Sequence, residues 1–178
     1  MDSDKKPKMP KKITKVRLKN IALYYLERFE TSVQNLKDVL RRRIDKYAFQ
    51  VPEFDKNQAY FWIDEIIEEF EALNYVSDER YAALKVKDYL NAGKSARYIK
   101  MKLKSKGVNE NTTDALIEGE DYDASQSARR LAQKKHIGPY RLNDEDRKEN
   151  LKKDMGTLLR AGFDYDTVCD ILKANFEE

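Results

Sequence analysis

The chain has 178 residues, 38% charged and 40% hydrophobic, with 6 Gly, 4 Pro, one cysteine and one histidine. That length allows one ordinary domain or several small units, and the Lys/Glu/Leu/Tyr-rich, turn-poor composition argues for helices over a sandwich or barrel. The lone Cys169 excludes an internal disulfide or a multi-Cys zinc site, and the lone His136 weighs against His-based catalysis or metal ligation.

No apolar run approaches the roughly 20 residues of a membrane helix, and the basic N-terminus lacks the apolar core of a signal peptide. The expectation is a cytoplasmic protein without membrane contact. The net charge of +3 hides strong asymmetry. Cations gather at Lys5–Lys19, Lys85–Lys106 and Arg129–Lys135, and acids at Asp64–Glu71 and Glu110–Asp123.

Residues 1–19 carry eight Lys/Arg with Pro7 and Pro10 and read as a basic, flexible N-terminal arm. Ile13, Val16 and Leu18 suggest a short strand at its end. The first folded unit, residues 20–76, opens with Ala22, Leu26 and Phe29 at helical spacing. Thr31 and Ser32 supply a break and an N-cap before a helix marked by Leu36, Val39 and Leu40. Arg41, Arg42 and Arg43 then fall where that helix should end, and cations there complement its dipole. Residues 45–58, broken by Pro52, read as a long connection. A third helix over about 57–74 has Ala59, Ile63, Ile66, Ile67, Phe70 and Leu73 on one face and five acids on the other. Those acids read as a solvated face, since no nucleophile or Gly-rich loop accompanies them.

The second unit, residues 77–119, is the clearest. Ser77 reads as an N-cap, with Ala82, Val86, Tyr89 and Leu90 as the stripe and Gly93 as the stop. Ser95 caps a helix with Ala96, Ile99 and Leu103 on its face, Gly107 ends it, Val108 packs back, and Thr112 opens a third short helix. The third unit, residues 124–178, follows the acidic linker GEDYDAS. Ala128, Leu131 and Ala132 mark its first helix. His136–Asn143 reads as a loop in which His136 is an ordinary surface residue. A long polar helix runs from about Asp144 with Leu151, Met155, Leu158 and Leu159 apolar, and Asp166 or Thr167 opens the last helix. Cys169 should pack as a small apolar residue.

The intervals Leu103–Gly107–Leu116 and Leu158–Gly162–Ile171 are identical, and Val108 and Thr112 correspond to Phe163 and Thr167. Three diverged copies of a three-helix unit account for this best. The predicted fold is all-α, three tandem three-helix repeats in an elongated, curved array.

Residues 94–107 contain six Lys/Arg and no acid. Such a block inside a folded unit favours an anionic partner. Candidate contacts for a partner or for DNA are therefore Lys85, Lys87, Lys94, Arg97, Lys100, Lys102, Lys104 and Lys106, with Arg129, Arg130, Lys134 and Lys135 on the next unit. A solvated helix surface is the plainer reading of the same residues. Catalytic, cofactor and metal residues are not expected.

The run Leu73-Asn74-Tyr75-Val76-Ser77-Asp78-Glu79-Arg80-Tyr81-Ala82, followed by Gly93, Ile99, Leu103, Lys106, Gly107 and Val108, resembles the signature of the RecX family. That family modulates the bacterial RecA recombinase. Leu26, Arg28, Ser32, Leu36 and Leu40 resemble its opening motif, and Leu159-Arg160-Ala161-Gly162-Phe163 its C-terminal one. The similarity spans about residues 20–173 in the family's order. Asn74 stands for a usual Gly, Phe29 for an acid, Ile44 for a Lys-Gly-like helix end and Ala161 for a basic residue.

The resemblance implies a monomeric, cofactor-free regulator that lies in the groove of a RecA–DNA filament. There it would block extension or promote disassembly, limiting ATP hydrolysis, recombination and the coprotease activity behind the SOS response and DNA repair. DNA, single- or double-stranded, would be met directly or within the filament. The alternative is a DNA-binding helical protein acting without RecA through its arm and central-repeat Lys/Arg face.

Overall fold

The computed structural model describes residues 10–173, and among these it contains nine α-helices, one short 3-10 turn and no strand. The all-α prediction holds. None of these helices is long and apolar enough to cross a membrane. The chain divides into two compact units at Asp78/Glu79. Apolar side chains gather into three cores, one for each set of three helices.

The first unit holds α1 (Lys15–Leu26), α2 (Val33–Gln50) and α3 (Lys56–Ala72). Its opening differs from expectation, because α1 starts at Lys15 and takes up the last five residues of the stretch read as arm and strand. Thr14 caps it by accepting the Arg17 N–H, and Ile13 and Leu18 are buried, so apolar anchoring draws this stretch into the core. Residues 1–9 of the predicted arm lie outside the described residues.

Helix α2 also continues through the predicted connection to Gln50. Ile44 occupies the repeat position where the resemblance implies a helix end. It is fully buried against α3, and Tyr47 packs edge-on against Phe54 at 4.9 Å. The connection shrinks to Val51–Asp55, where the Asp55 side chain caps α3. Leu73, read as part of the α3 face, is instead 52% exposed beyond the end of the helix.

The second unit holds α4 (Asp78–Asn91), α5 (Ala96–Lys104), α6 (Glu110–Gly119), α7 (Ala124–Lys135), α8 (Asp144–Arg160) and α9 (Tyr165–Lys173). Two expected helix starts move two or three residues earlier. Asn109 caps α6 and the Asp164 side chain accepts the Thr167 N–H at the start of α9, so Thr112 and Thr167 sit inside their helices. Asn109 and Asp164 fall at the same repeat position, immediately after Val108 and Phe163. Leu151 and Leu159 are exposed, leaving Leu158 as the fully buried apolar residue of α8.

One closure recurs at helix ends. A residue at positive φ is followed by an N–H that reaches back five positions. Val108 bonds to the Leu103 carbonyl after Gly107 (φ +81°), and Phe163 to that of Leu158 after Gly162 (φ +92°). Asn74 (φ +56°) and His136 (φ +51°) do the same work, with Tyr75 N–H on Phe70 and Ile137 N–H on Ala132. Asn74 thus takes the left-handed conformation that a glycine would adopt most easily, and Asn tolerates it better than most residues.

Candidate partner interface

Helix α5 carries most of the predicted cations. Its first turn is sealed twice: the Ser95 hydroxyl accepts the Tyr98 N–H at 3.2 Å, and the Tyr122 phenol oxygen accepts the Ala96 N–H at 3.2 Å. Burial is the main reason the Tyr122 phenol is pushed above its ordinary pKa. Ile99 and Leu103 are buried, which fixes the rotation of α5 and aims its remaining side chains outward.

The outward cations do not form one bare field. Lys100 pairs with Asp114 at 2.8 Å and Lys104 with Glu110 at 3.7 Å, both acids belonging to α6. Lys87 pairs with Glu120 at 3.4 Å and Lys85 with Asp88 at 2.9 Å. The hydrogen bonds to Asp114 and Asp88 raise the Lys100 and Lys85 amines above their ordinary values. The block without acids in the linear sequence is therefore partly neutralised across the α5–α6 hairpin.

Lys94 and Lys102 lie 5.0 and 5.5 Å from the centroid of the Tyr98 ring, which meets Tyr89 edge-on at 5.6 Å. Lys106 is half-buried. On α7, Arg130 is tied down by donating to the Leu90 carbonyl at 3.3 Å and to Gln126 at 3.0 Å. Arg129, Lys134 and Lys135 are exposed, the last two in the final turn where they complement the helix dipole.

Arg97 stands apart. It is exposed, and none of the described acids pairs with it. It forms a common wall of two surface hollows of about 380 and 270 Å³. Between them lies Met101, 57% exposed, with Leu159, Arg160 and Gly162 on the far side. The close approach is set by Gly162: a Cβ there would sit 2.7 Å from Ser95 Oγ and 3.3 Å from Arg97 Cβ. Ser95 in turn donates to the Ala161 carbonyl at 2.6 Å, tying the start of α5 to the end of α8. The arrangement presents an apolar strip edged by guanidinium groups, suited to a surface with both acidic and apolar groups.

The signature residues divide by role. Leu36, Leu40, Tyr81, Ala82, Ile99, Leu103 and Phe163 are buried, Leu26 packs on the first core, and Ser32 caps α2. Gly93, Gly107 and Gly162 adopt positive φ. Asp78 is half-buried and accepts the Val33 N–H at 2.8 Å, anchoring the start of α2. Arg80 is partly buried, while Arg28 stacks over the Tyr24 ring at 4.1 Å. Among the described residues no group of three His, Cys, Asp or Glu is placed to hold a metal.

A group without any sequence signal is the Asp154–Arg141 pair. Asp154 is 1% exposed on α8 and takes two hydrogen bonds from Arg141 and one from the Gly138 N–H at 2.8 Å. It fixes the 3-10 turn Gly138–Tyr140 inside the stretch read as a loop.

Residues 77–117 match the profile of the RecX second three-helix domain. Regulatory protein RecX of Myxococcus xanthus is 31% identical over 171 residues, covering 95% of this chain and 91% of that protein. Regulatory protein RecX of Agrobacterium fabrum is 29% identical over 162 residues, covering 90% and 84%. The crystal structure of RecX from Lactobacillus salivarius superposes with a TM-score of 0.61 at 22% identity, covering 90% of this chain and 96% of that one, which speaks for the fold. With sequence similarity running through nearly its whole length, the chain belongs to the RecX family of regulatory proteins.

Proposed function

We propose that the chain regulates a RecA recombinase by binding the RecA–DNA filament and lowering its ATPase, strand-exchange and coprotease activities. The observation that carries this is the family similarity across 95% of the chain. The second unit adds a physical means. A helical body that offers Arg97, Met101 and Arg160 on one side and Lys94 and Lys102 on another can make several weak contacts at once. Neighbouring protomers of a filament repeat the same surface, so such contacts reinforce one another. Occupying that surface needs no cofactor and no bond-making step.

The test is to add the full-length protein substoichiometrically to RecA on single-stranded DNA with ATP and to follow hydrolysis. The expected result is a progressive fall in ATPase rate well below one molecule per RecA. A rate unchanged across a wide concentration range overturns the proposal.

A further inference from the structure

The strip of Arg97, Met101, Leu159 and Arg160 is composite. Arg97 and Met101 come from α5, within the helix set α4–α6, while Leu159 and Arg160 end α8, within the set α7–α9. Each set has its own apolar core. Val86, Ile99 and Leu103 belong to one, and Leu131, Leu158 and Val168 to the other. The dominant stabilising effect, burial of apolar surface, therefore acts within each set, and among the described residues no buried apolar cluster is common to both.

What joins the two sets is polar and close-fitting. Gly93, Ser95 and Ser127 are buried at the junction. The Ser95 hydroxyl donates to the Ala161 carbonyl at 2.6 Å, and Arg130 of α7 donates to the Leu90 carbonyl of α4 at 3.3 Å. The Tyr122 hydroxyl, on the turn between α6 and α7, accepts the Ala96 N–H at 3.2 Å and is also hydrogen-bonded to Ser127, so it bridges the starts of α5 and α7. At Gly93 the backbones nearly touch, since a Cβ there would lie 3.0 Å from the Ser127 carbonyl oxygen. The chain crosses from set to set at Glu120–Asp123, with Asp121 at φ +49°. Hydrogen bonds exchanged against water contribute little net apiece, and a polar junction without a shared core is one that moves.

We propose that this polar clasp opens and closes, and that Tyr122 and Ser127 are positioning residues for the partner surface. Closed, the clasp brings Leu159 and Arg160 beside Arg97 and Met101. Open, it splits the strip between two bodies. A partner that needs the whole strip binds only the closed form, so binding and closure are coupled. Every molecule in the open form then lowers the apparent affinity in proportion. Neither Tyr122 nor Ser127 lines the strip, so both act on it through geometry alone. The coupling rests on the filament proposal, whereas the opening of the clasp does not.

The test attaches nitroxide labels to the full-length protein at Ser105→Cys, just past the far end of α5, and Lys152→Cys on α8, in a Cys169→Ala background. Both labelled positions are exposed and lie outside the strip. Double electron–electron resonance should give one dominant label-to-label distance. Adding Tyr122→Phe/Ser127→Ala should create a displaced population of about 10% or more, which a saturating RecA–DNA filament should remove. Helicity by circular dichroism should stay at its original value, because both apolar cores are untouched. In the RecA ATPase assay the same pair should raise the half-inhibition concentration by the reciprocal of its closed fraction, about twofold where about half the molecules are closed. Ser95→Asp keeps a capping acceptor for α5 but sets an anion against the Ala161 carbonyl, and should enlarge the displaced population further. The proposal is overturned if both variants keep the original distance, or if the population shifts and half-inhibition does not. A wild type that leaves RecA unaffected overturns the filament proposal and the coupling with it. The distances, read without RecA, separate that failure from a clasp that never opens.

Discussion

Arg141 grips Asp154 through two parallel hydrogen bonds, Nε to Oδ2 at 2.7 Å and Nη2 to Oδ1 at 2.8 Å, while its third nitrogen reaches Asp146 at 2.9 Å. Both partners are withdrawn from water, at 1% and 14% side-chain exposure. The pair joins α8 to the turn after α7, and Gly138 in that turn packs against Leu172 of α9 so closely that a Cβ would lie 2.5 Å from its Cδ2. Removing one partner of a buried pair typically costs about 3–5 kcal/mol, and the Asp146 contact that Arg141 would keep places Asp154→Ala toward the lower end of that range. Asp154→Ala should therefore lower unfolding stability by about that amount in urea titrations. A loss under about 0.5 kcal/mol would show that the turn is held by packing alone.

The same pair fixes the sign of an acid response. Burial works to raise the Asp154 pKa, but Arg141 and the Gly138 N–H outweigh it and hold the carboxyl below its ordinary 3.8. A depressed folded pKa contributes stability that is present above the unfolded value and lost as pH falls through the folded one. Asp78 runs the other way, since burial raises its pKa despite the Val33 N–H, so its protonation favours the folded state. Thermal melts should show wild type well above Asp154→Asn near neutrality, the gap closing only below about pH 3.9. A gap that is constant down to low pH would mean the carboxylate charge is not what holds the turn.

Gly107 and Gly162 occupy equivalent repeat positions but should respond differently to substitution. Both have positive φ, so alanine at either costs about 1 kcal/mol in backbone strain. Gly162 carries a further penalty, because its Cβ would press on Ser95 Oγ and Arg97 Cβ, whereas Gly107 is exposed. Gly162→Ala should thus be the more destabilising by at least about 1 kcal/mol in equilibrium unfolding. Equal effects would show that Ser95 and Arg97 shift aside freely.

The cores were the legible part of this fold. Leu36, Leu40, Ile63, Ile66, Ile99 and Leu103 recur at the helical period and all are buried, because one face of each helix must leave water. Helix ends were half legible. Glycine announces a left-handed residue, but Asn74, Asp121 and His136 adopt it as well, and their side chains have many other uses. Pro52 marks residues 45–58 as a connection in the sequence, although Ile44 and Tyr47 find partners that carry α2 to Gln50. The charged surfaces were read least well. Glu110 and Asp114 lie beyond Gly107 in the chain, so no window on α5 includes them, yet the hairpin returns them to Lys104 and Lys100. Asp154 looked like one more charge on a polar helix, and only the turn folding over it makes it buried.

That redistribution of charge ranks the α5 residues for the proposed RecA contact. Lys100 and Lys104 already face acids of α6, so a partner must share them with Asp114 and Glu110. Arg97 has no acid to leave among the described residues and stands over the exposed Met101. Planar, bidentate donors beside apolar surface are the groups that most often dominate binding. In the RecA ATPase assay, Arg97→Ala should raise the concentration for half-inhibition about tenfold, and Met101→Ser should do so by a smaller factor. Lys100→Ala and Lys104→Ala should each change it by less than about threefold. If the lysine substitutions prove the more damaging, the α5–α6 ion pairs must open on binding and the contact face lies on that side of α5 instead.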